Sequence, residues 1–278
     1  MCILFIYRNP NADSSSYRLI IATNRDEYYN RPTKSAHFWD NHANCLGGTD
    51  EEPGRQGGTW LGLSKNNKKL GILLNLKESQ PEDSTNSPAT SKKGRGFIVN
   101  NFITSSKSAT NYLNELYDDH KTKQSYNSFT LVTVNFSNID VNYFSNSIKT
   151  QGPEKCDDVI IGFGNSVYNR PYKKVTNGKE IFKSIVNNAK VHEEDQLIEK
   201  LFQFLQLKEQ HLPDEELEST HPNEFERLSS IFINGNENYG TRTHTLIFLD
   251  TNNHLTFIEN TKENEIWSQQ RFDMLLSV

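Results

Sequence analysis

A cysteine at position 2 poses a chemical question at the very start of the chain. If Met1 is removed, the thiol and a free α-amine belong to one residue. An α-amine with an ordinary pKa of about 7.7–8 can act as base toward its own side chain near neutral pH. Such a nucleophile needs no histidine, but it needs groups that orient the thiolate and donors that stabilise a tetrahedral oxyanion. The bland alternative is that Cys2 is a small buried hydrophobe. A second polar set, Asn24-Arg25-Asp26-Glu27, follows the apolar run Leu19–Ala22 directly. If the strand continues past Ala22, Asn24 and Asp26 share one face and Arg25 and Glu27 the other. A buried arginine–carboxylate pair at a strand tip is costly unless fully hydrogen-bonded, and a site beside a thiolate would supply that bonding. A solvated strand exit with turn bonds explains an isolated quartet equally well.

Other candidates are weaker. The segment GGTDEEPGRQGGTWLGLS is glycine-rich, and backbone amides around Gly58 and Thr59 could cradle an anion such as the phosphates of a CoA-like ligand. It contains no GxxxxGK[ST] or GxGxxG, so a tight loop feeding a hairpin is an equal reading, with Trp60 as core or pocket wall. Eight histidines include no HxxxH or HExxH pair. Only His244 shares a strand face with Arg242, Leu246 and Phe248, which predicts that it borders a site. Cys2, Cys45 and Cys156 form no CxxC or Cys/His pattern, so neither a zinc site nor a disulfide framework is supported, and no metal is expected. A reducing compartment follows as the expectation.

The elements that must position these residues come from hydrophobic blocks. Strands are predicted over Cys2–Tyr7, Tyr17–Ala22, Thr59–Leu63, Leu70–Leu76, Phe129–Phe136, Val159–Phe163, Thr243–Leu249 and Leu255–Glu259. Most are continuously apolar, as in sheets covered on both faces. Short polar links (NPNADSSS, SKNNKK, DTNNH) imply antiparallel hairpins. Helical stripes run through Ala109–Tyr117, Ile181–Ala189 and Leu197–Leu205. Strands, then helices, then strands favour an α+β fold with two stacked antiparallel sheets coated by helices, an αββα sandwich of four layers. The chain of 278 residues is expected to form a single domain over 1–278, with a mobile loop at about 77–96. Hydrophobic residues make up 34% of the chain, but they are concentrated in these blocks, so the mean hydropathy of −0.72 does not argue against a core. The net charge of −5, without a basic block, argues against a nucleic-acid partner. No apolar run approaches the roughly 20 residues of a membrane helix.

Five motifs in order, MCILFIY, RLIIATNRDEYYNRP, GGTWLGLS, GFGNS and YGTRTHTLIFLD, resemble the transport and Golgi organization 2 family, also called the NRDE family. That family in turn resembles the N-terminal-nucleophile hydrolases, especially the branch with bile-salt hydrolase and penicillin V acylase. The resemblance implies Cys2 as nucleophile, Arg25 and Asp26 around the thiolate, Asn165 as oxyanion donor and Arg242 as a late-strand arginine. Glu27, Arg31, Gly58, Thr59, Trp60 and His244 are the expected ligand contacts beside these. In those hydrolases the arginine precedes the aspartate by several residues, whereas Arg25 and Asp26 are adjacent. Both can border a thiolate only if the strand bulges; Asn24 with Asp26 is an equally good pair facing Cys2. The resemblance further implies a role in Golgi organisation and secretion, with haem or acyl-CoA as candidate ligands in a cleft around Cys2. It implies a cytoplasmic location, with association to mitochondria or Golgi. The site either carries a ligand or turns over an amide or thioester; the departure in Arg25–Asp26 spacing inclines the reading to a role without turnover, with hydrolysis as the alternative.

Overall fold

A computed structural model of the protein describes residues 2–77, 92–147, 151–235, 238–263 and 266–276. In chain order the strands are β1 (Cys2–Arg8), β2 (Tyr17–Tyr28), β3 (Thr33–Trp39), β4 (His42–Asp50), β5 (Leu61–Ser64), β6 (Lys69–Asn75), β7 (Phe129–Asn135), β8 (Asp140–Ser145), β9 (Glu154–Cys156), β10 (Ile160–Phe163), β11 (Tyr239–Asp250), β12 (His254–Glu263) and β13 (Ile266–Leu275). The helices are α1 (Gly96–Thr104), α2 (Ala109–Thr122), α3 (Lys173–Val186), α4 (Glu194–Leu205), α5 (Glu215–Thr220) and α6 (Phe225–Leu228).

Two sheets result. One has six strands in the order β10-β1-β2-β11-β12-β13, the other seven in the order β3-β4-β5-β6-β7-β8-β9. Every strand pair is antiparallel. The period-2 geometry of a strand sorts each sequence onto two cores. Leu4 and Ile6 of β1, with Leu19 and Ile21 of β2, face Leu61, Leu63, Leu70 and Val132 of the other sheet. Ile3, Phe5, Ile20 and Ala22 point the other way, into Val175, Phe182, Leu201 and Phe204 of α3 and α4. A third core joins Val99, Phe102 and Leu113 of α1 and α2 to Leu73 and Leu131. The molecule is therefore the expected helix–sheet–sheet–helix sandwich. Continuous apolar strands arise because both faces of each sheet are covered, and each fully buried Leu, Ile or Phe contributes roughly 1.5–3 kcal/mol of transfer free energy.

Several elements depart from the sequence reading. Strand β2 does not end at Ala22 but carries the polar quartet on to Tyr28, because β11, starting four residues earlier than predicted, pairs with it along its whole length. Strands β3, β4, β8, β9 and β13 were not legible; β13 is mostly exposed, so its sequence lacks an apolar signature. The predicted loop at 77–96 falls largely outside the described residues. At its described end Lys93 bridges to Tyr126, and Gly96 opens α1. Among the described residues no helix is long and apolar enough to cross a membrane, and no three His, Cys, Asp or Glu side chains are grouped to hold a metal ion.

Candidate functional site

The first strand begins at one end of the sandwich, where a cleft of about 660 Å³ opens between the sheets. Cys2 lies in its wall. The antiparallel register of β1 and β2 sets Cys2 directly opposite Arg25, so both side chains lie on the face between the sheets. Arg25 is 7% exposed and lays its guanidinium over Trp60, 3.8 Å from the ring centroid. Its Nη2 is 3.6 Å from Glu27, while Nη1 is buried with no hydrogen-bond partner. Burial lowers the Arg25 pKa to about 10, a cost the ring and Glu27 offset in part.

Asn165, just past β10, joins the two sheets at this point. Its Oδ1 accepts from the Cys2 N–H at 2.5 Å, and its Nδ2 donates to the Asn75 carbonyl at the end of β6, also at 2.5 Å. Burial pushes the Cys2 thiol up, countered by the positive chain end and by the Asp26 backbone N–H, which donates to it. Asp26 is itself buried, and its carboxyl is raised by that burial. Its Oδ1 accepts from Thr241 Oγ1 at 2.6 Å, on the helix-covered face. Behind it on α3 lies Lys174, fully buried, whose ammonium donates to the Ser230 carbonyl at 3.1 Å and whose pKa burial lowers to about 8.

Beside Arg25 and Asp26 the neighbouring strand β11 carries an irregularity, while β2 itself alternates regularly against β1. Thr241 pairs with Asp26 and Thr243 with Arg25, leaving Arg242 as an extra residue, a β-bulge. Arg25 thus presents its side chain to the cleft, and Asp26 presents its backbone N–H to the thiol. Arg242 is turned by the bulge toward the carbonyls of Tyr28 and Arg31, at 2.9 and 2.8 Å, and toward Thr33 Oγ1. It fastens the β2–β3 connection and does not line the cleft.

Glu27, Arg31, Thr59 and Trp60 do line it. Arg31 is paired bidentately with Asp50, at 3.1 and 2.7 Å. Besides Arg242, three further expected positions do not line the cleft or face the thiol. Asn24 shares a face with Asp26, but that face is opposite to the Cys2 side chain; its amide donates to the Leu205 and Ile231 carbonyls in the helical layer. His244 does not border the cleft either. It is buried beside Asn24 and stacked on Trp267 with centroids 4.6 Å apart. Gly58 lies behind the wall, where a Cβ would come within 3.1 Å of the Gly96 backbone. Sequence reasoning missed Asn75, Arg55, Arg95, His221 and Tyr239, which are among the other lining residues. The only signal for Arg55 and Arg95 is their placement among glycines, in PGRQGG and KGRGF.

Two stacked antiparallel sheets clad in helices, with a cleft where the first strand begins, define an α+β sandwich whose chain start forms part of a candidate site. The family model for transport and Golgi organisation 2 matches residues 1–264, so the chain belongs to that family. It is 37% identical over 271 residues to transport and Golgi organization protein 2 of Drosophila melanogaster, covering 94% of this chain and 92% of that one. It is 32% identical over 287 residues to the Mus musculus homolog, covering 99% of each. Among solved structures, a mutant conjugated bile acid hydrolase from Clostridium perfringens aligns over 99% of this chain and 92% of its own, at 10% identity and a TM-score of 0.43.

Proposed function

We infer that the cleft handles a small acyl compound, with Cys2 as nucleophile toward an amide or thioester carbonyl once Met1 has been removed. The observation that carries this reading is the hydrogen bond from the Cys2 nitrogen to Asn165 Oδ1 beside the Arg25 guanidinium. As an α-amine, the same nitrogen would donate one N–H to Asn165 and direct its lone pair to the thiol. The thiol proton passes to the amine, and the thiolate attacks the carbonyl carbon. The carbonyl oxygen gains the charge, and the Asn165 amide and the Arg25 guanidinium are the donors in reach of it. Collapse expels the amine or thiol, which takes the proton from the ammonium and leaves an acyl group on Cys2; water then releases the acid. A role in Golgi organisation and secretion, suggested by the names of its relatives, would follow indirectly from such handling of lipid-derived compounds. The intact mass of the purified protein should lack Met1, and Cys2→Ala should abolish thioester or amide turnover while its circular dichroism stays unchanged. A retained Met1 in an active preparation would overturn the nucleophile.

A second reading is carriage without turnover of a hydrophobic anion such as haem or acyl-CoA. It is favoured by the raised Cys2 thiol and by the engagement of Asn165 Nδ2 with the Asn75 carbonyl. Saturable ligand binding that persists in Cys2→Ala, with no turnover by the wild type, would select it.

A further inference from the structure

Among the described histidines only His221 lines the cleft, in the same wall as Cys2 and Asn165, although the helical layer carries it at the end of α5. His211 and His244 bury Nε2 without a partner. The Nε2 of His221 also has no partner among the described residues, but it is not sealed in the core. Nδ1 is turned the other way, 3.0 Å from Thr220 Oγ1. The single proton of that hydroxyl goes to the carbonyls of the preceding turn, Glu216 at 2.8 Å and Leu217 at 3.2 Å. Thr220 Oγ1 is therefore an acceptor toward the ring. Nδ1 carries the imidazole proton, and Nε2 keeps its lone pair on the cleft side.

The same contacts fix the ring relative to the chain start. The Tyr172 hydroxyl lies 3.1 Å from Thr220 Oγ1 and 3.3 Å from the Asn165 carbonyl, both acceptors within reach of its proton. Asn165 in turn holds the Cys2 nitrogen. The Tyr172 ring stands edge-on to the imidazole, with centroids 6.3 Å apart. Burial lowers the His221 pKa to about 4; Lys77, the charged chain end and Lys174 lower it further, against Glu224. The ring is thus neutral near pH 7, with its lone pair available. The share due to the chain end vanishes once the Cys2 ammonium has given its proton to a leaving group, so the ring becomes a better base at the stage when water must attack.

We propose that His221 is the general base that hydrolyses the acyl group from Cys2. Its Nε2 takes a proton from water as the water oxygen bonds to the acyl carbonyl carbon. The C–S bond of the tetrahedral intermediate then breaks, the proton passes from the imidazolium to the thiolate, and the acid leaves. One water is used, and the thiol and neutral imidazole are restored. This role rests on the nucleophile proposed above and deepens it: the amine of Cys2 serves acylation, and an imidazole on another element serves release.

The test gives p-nitrophenyl acetate to the full chain as acetyl donor and compares wild type with His221→Asn. Asparagine keeps an N–H donor in the place of Nδ1, so the bond to Thr220 survives, but it has no lone-pair nitrogen in the place of Nε2. Cys2 of the variant should be acetylated as fast as in wild type, read from p-nitrophenolate release and from one acetyl group in the intact mass. Steady-state turnover should fall about 100-fold, the usual contribution of a general base, and the acetylated form should persist. Added imidazole should restore part of the turnover in His221→Ala. Urea unfolding checks the fold of each variant, and His221→Gln replaces the asparagine if that one does not fold. Turnover at the wild-type rate in the variant would overturn the assignment, and so would slowed acetylation of Cys2, which marks a structural loss or a part in the first step. A wild type never acetylated on Cys2 removes the nucleophile instead, and the role of His221 falls with it.

Discussion

His244 has its tautomer set by a single neighbour. Asn24 directs its amide nitrogen to the Leu205 and Ile231 carbonyls, so its Oδ1 faces the ring, and Nδ1 must carry the proton across the 2.6 Å contact. Nε2 is left buried without a partner, and burial holds the pKa down to about 3. The folded value lies below the unfolded value of about 6.5, so between the two the unfolded chain takes up a proton that the native state refuses. The stability associated with a neutral His244 is present above pH 6.5 and is lost as the pH falls toward 3. His221, lowered to about 4, acts in the same sense, whereas the raised carboxyls of Asp26 and Glu259 act in the opposite sense. The effect is therefore isolated by comparison with a variant. Wild type should lose roughly 2 kcal/mol relative to His244→Gln between pH 7 and pH 5 in urea unfolding. A difference independent of pH would contradict the neutral, buried imidazole.

At the level of elements, α3 approaches β1 through Gly178. A methyl group there would come within 2.5 Å of the Phe5 ring and 3.2 Å of Ile231. Phe5 cannot yield, being packed on Phe182 and Phe204 at ring separations of 5.7 and 5.0 Å. Gly178→Ala should therefore destabilise the protein by about 1–3 kcal/mol, even though alanine is the better helix former by about 1 kcal/mol. A higher urea midpoint for the variant would show that this helix–sheet contact can relax. The bulge at Arg242 belongs to the same scale. Without it, Arg242 would share the helical face with Thr245's neighbours His244 and Leu246, as the strand pattern alone predicted. Its extra residue sends the guanidinium to the β2–β3 connection.

Across the whole molecule, the two sheets are joined by apolar packing and by a few buried polar contacts. Glu259 of β12 accepts from the Ala36 N–H of β3 at 2.7 Å, and Asn165 links the Cys2 nitrogen to the Asn75 carbonyl. Replacing Asn165 with alanine leaves two polar groups at the sheet junction unpaired. That change should cost about 1–3 kcal/mol in urea unfolding, and should remove any turnover dependent on Cys2. A variant as stable as wild type would mean that water replaces both bonds and that Asn165 does not tie the sheets.

The apolar strands, their hairpin pairing and the three longer helical stripes were readable because period 2 and period 3.6 are local properties, visible within a dozen residues. From them the layered α+β architecture and the prominence of Cys2 and the Arg25–Asp26 tip followed. Edge strands such as β13 were not readable, since exposure removes the apolar alternation. Which face of β2 meets the cleft, where Arg242 points, and the meeting of Arg55, Arg95 and the start of α1 were settled only by tertiary structure. Those features depend on register, on a one-residue bulge between strands more than two hundred residues apart and on the meeting of separate loops, and no short window of sequence encodes them.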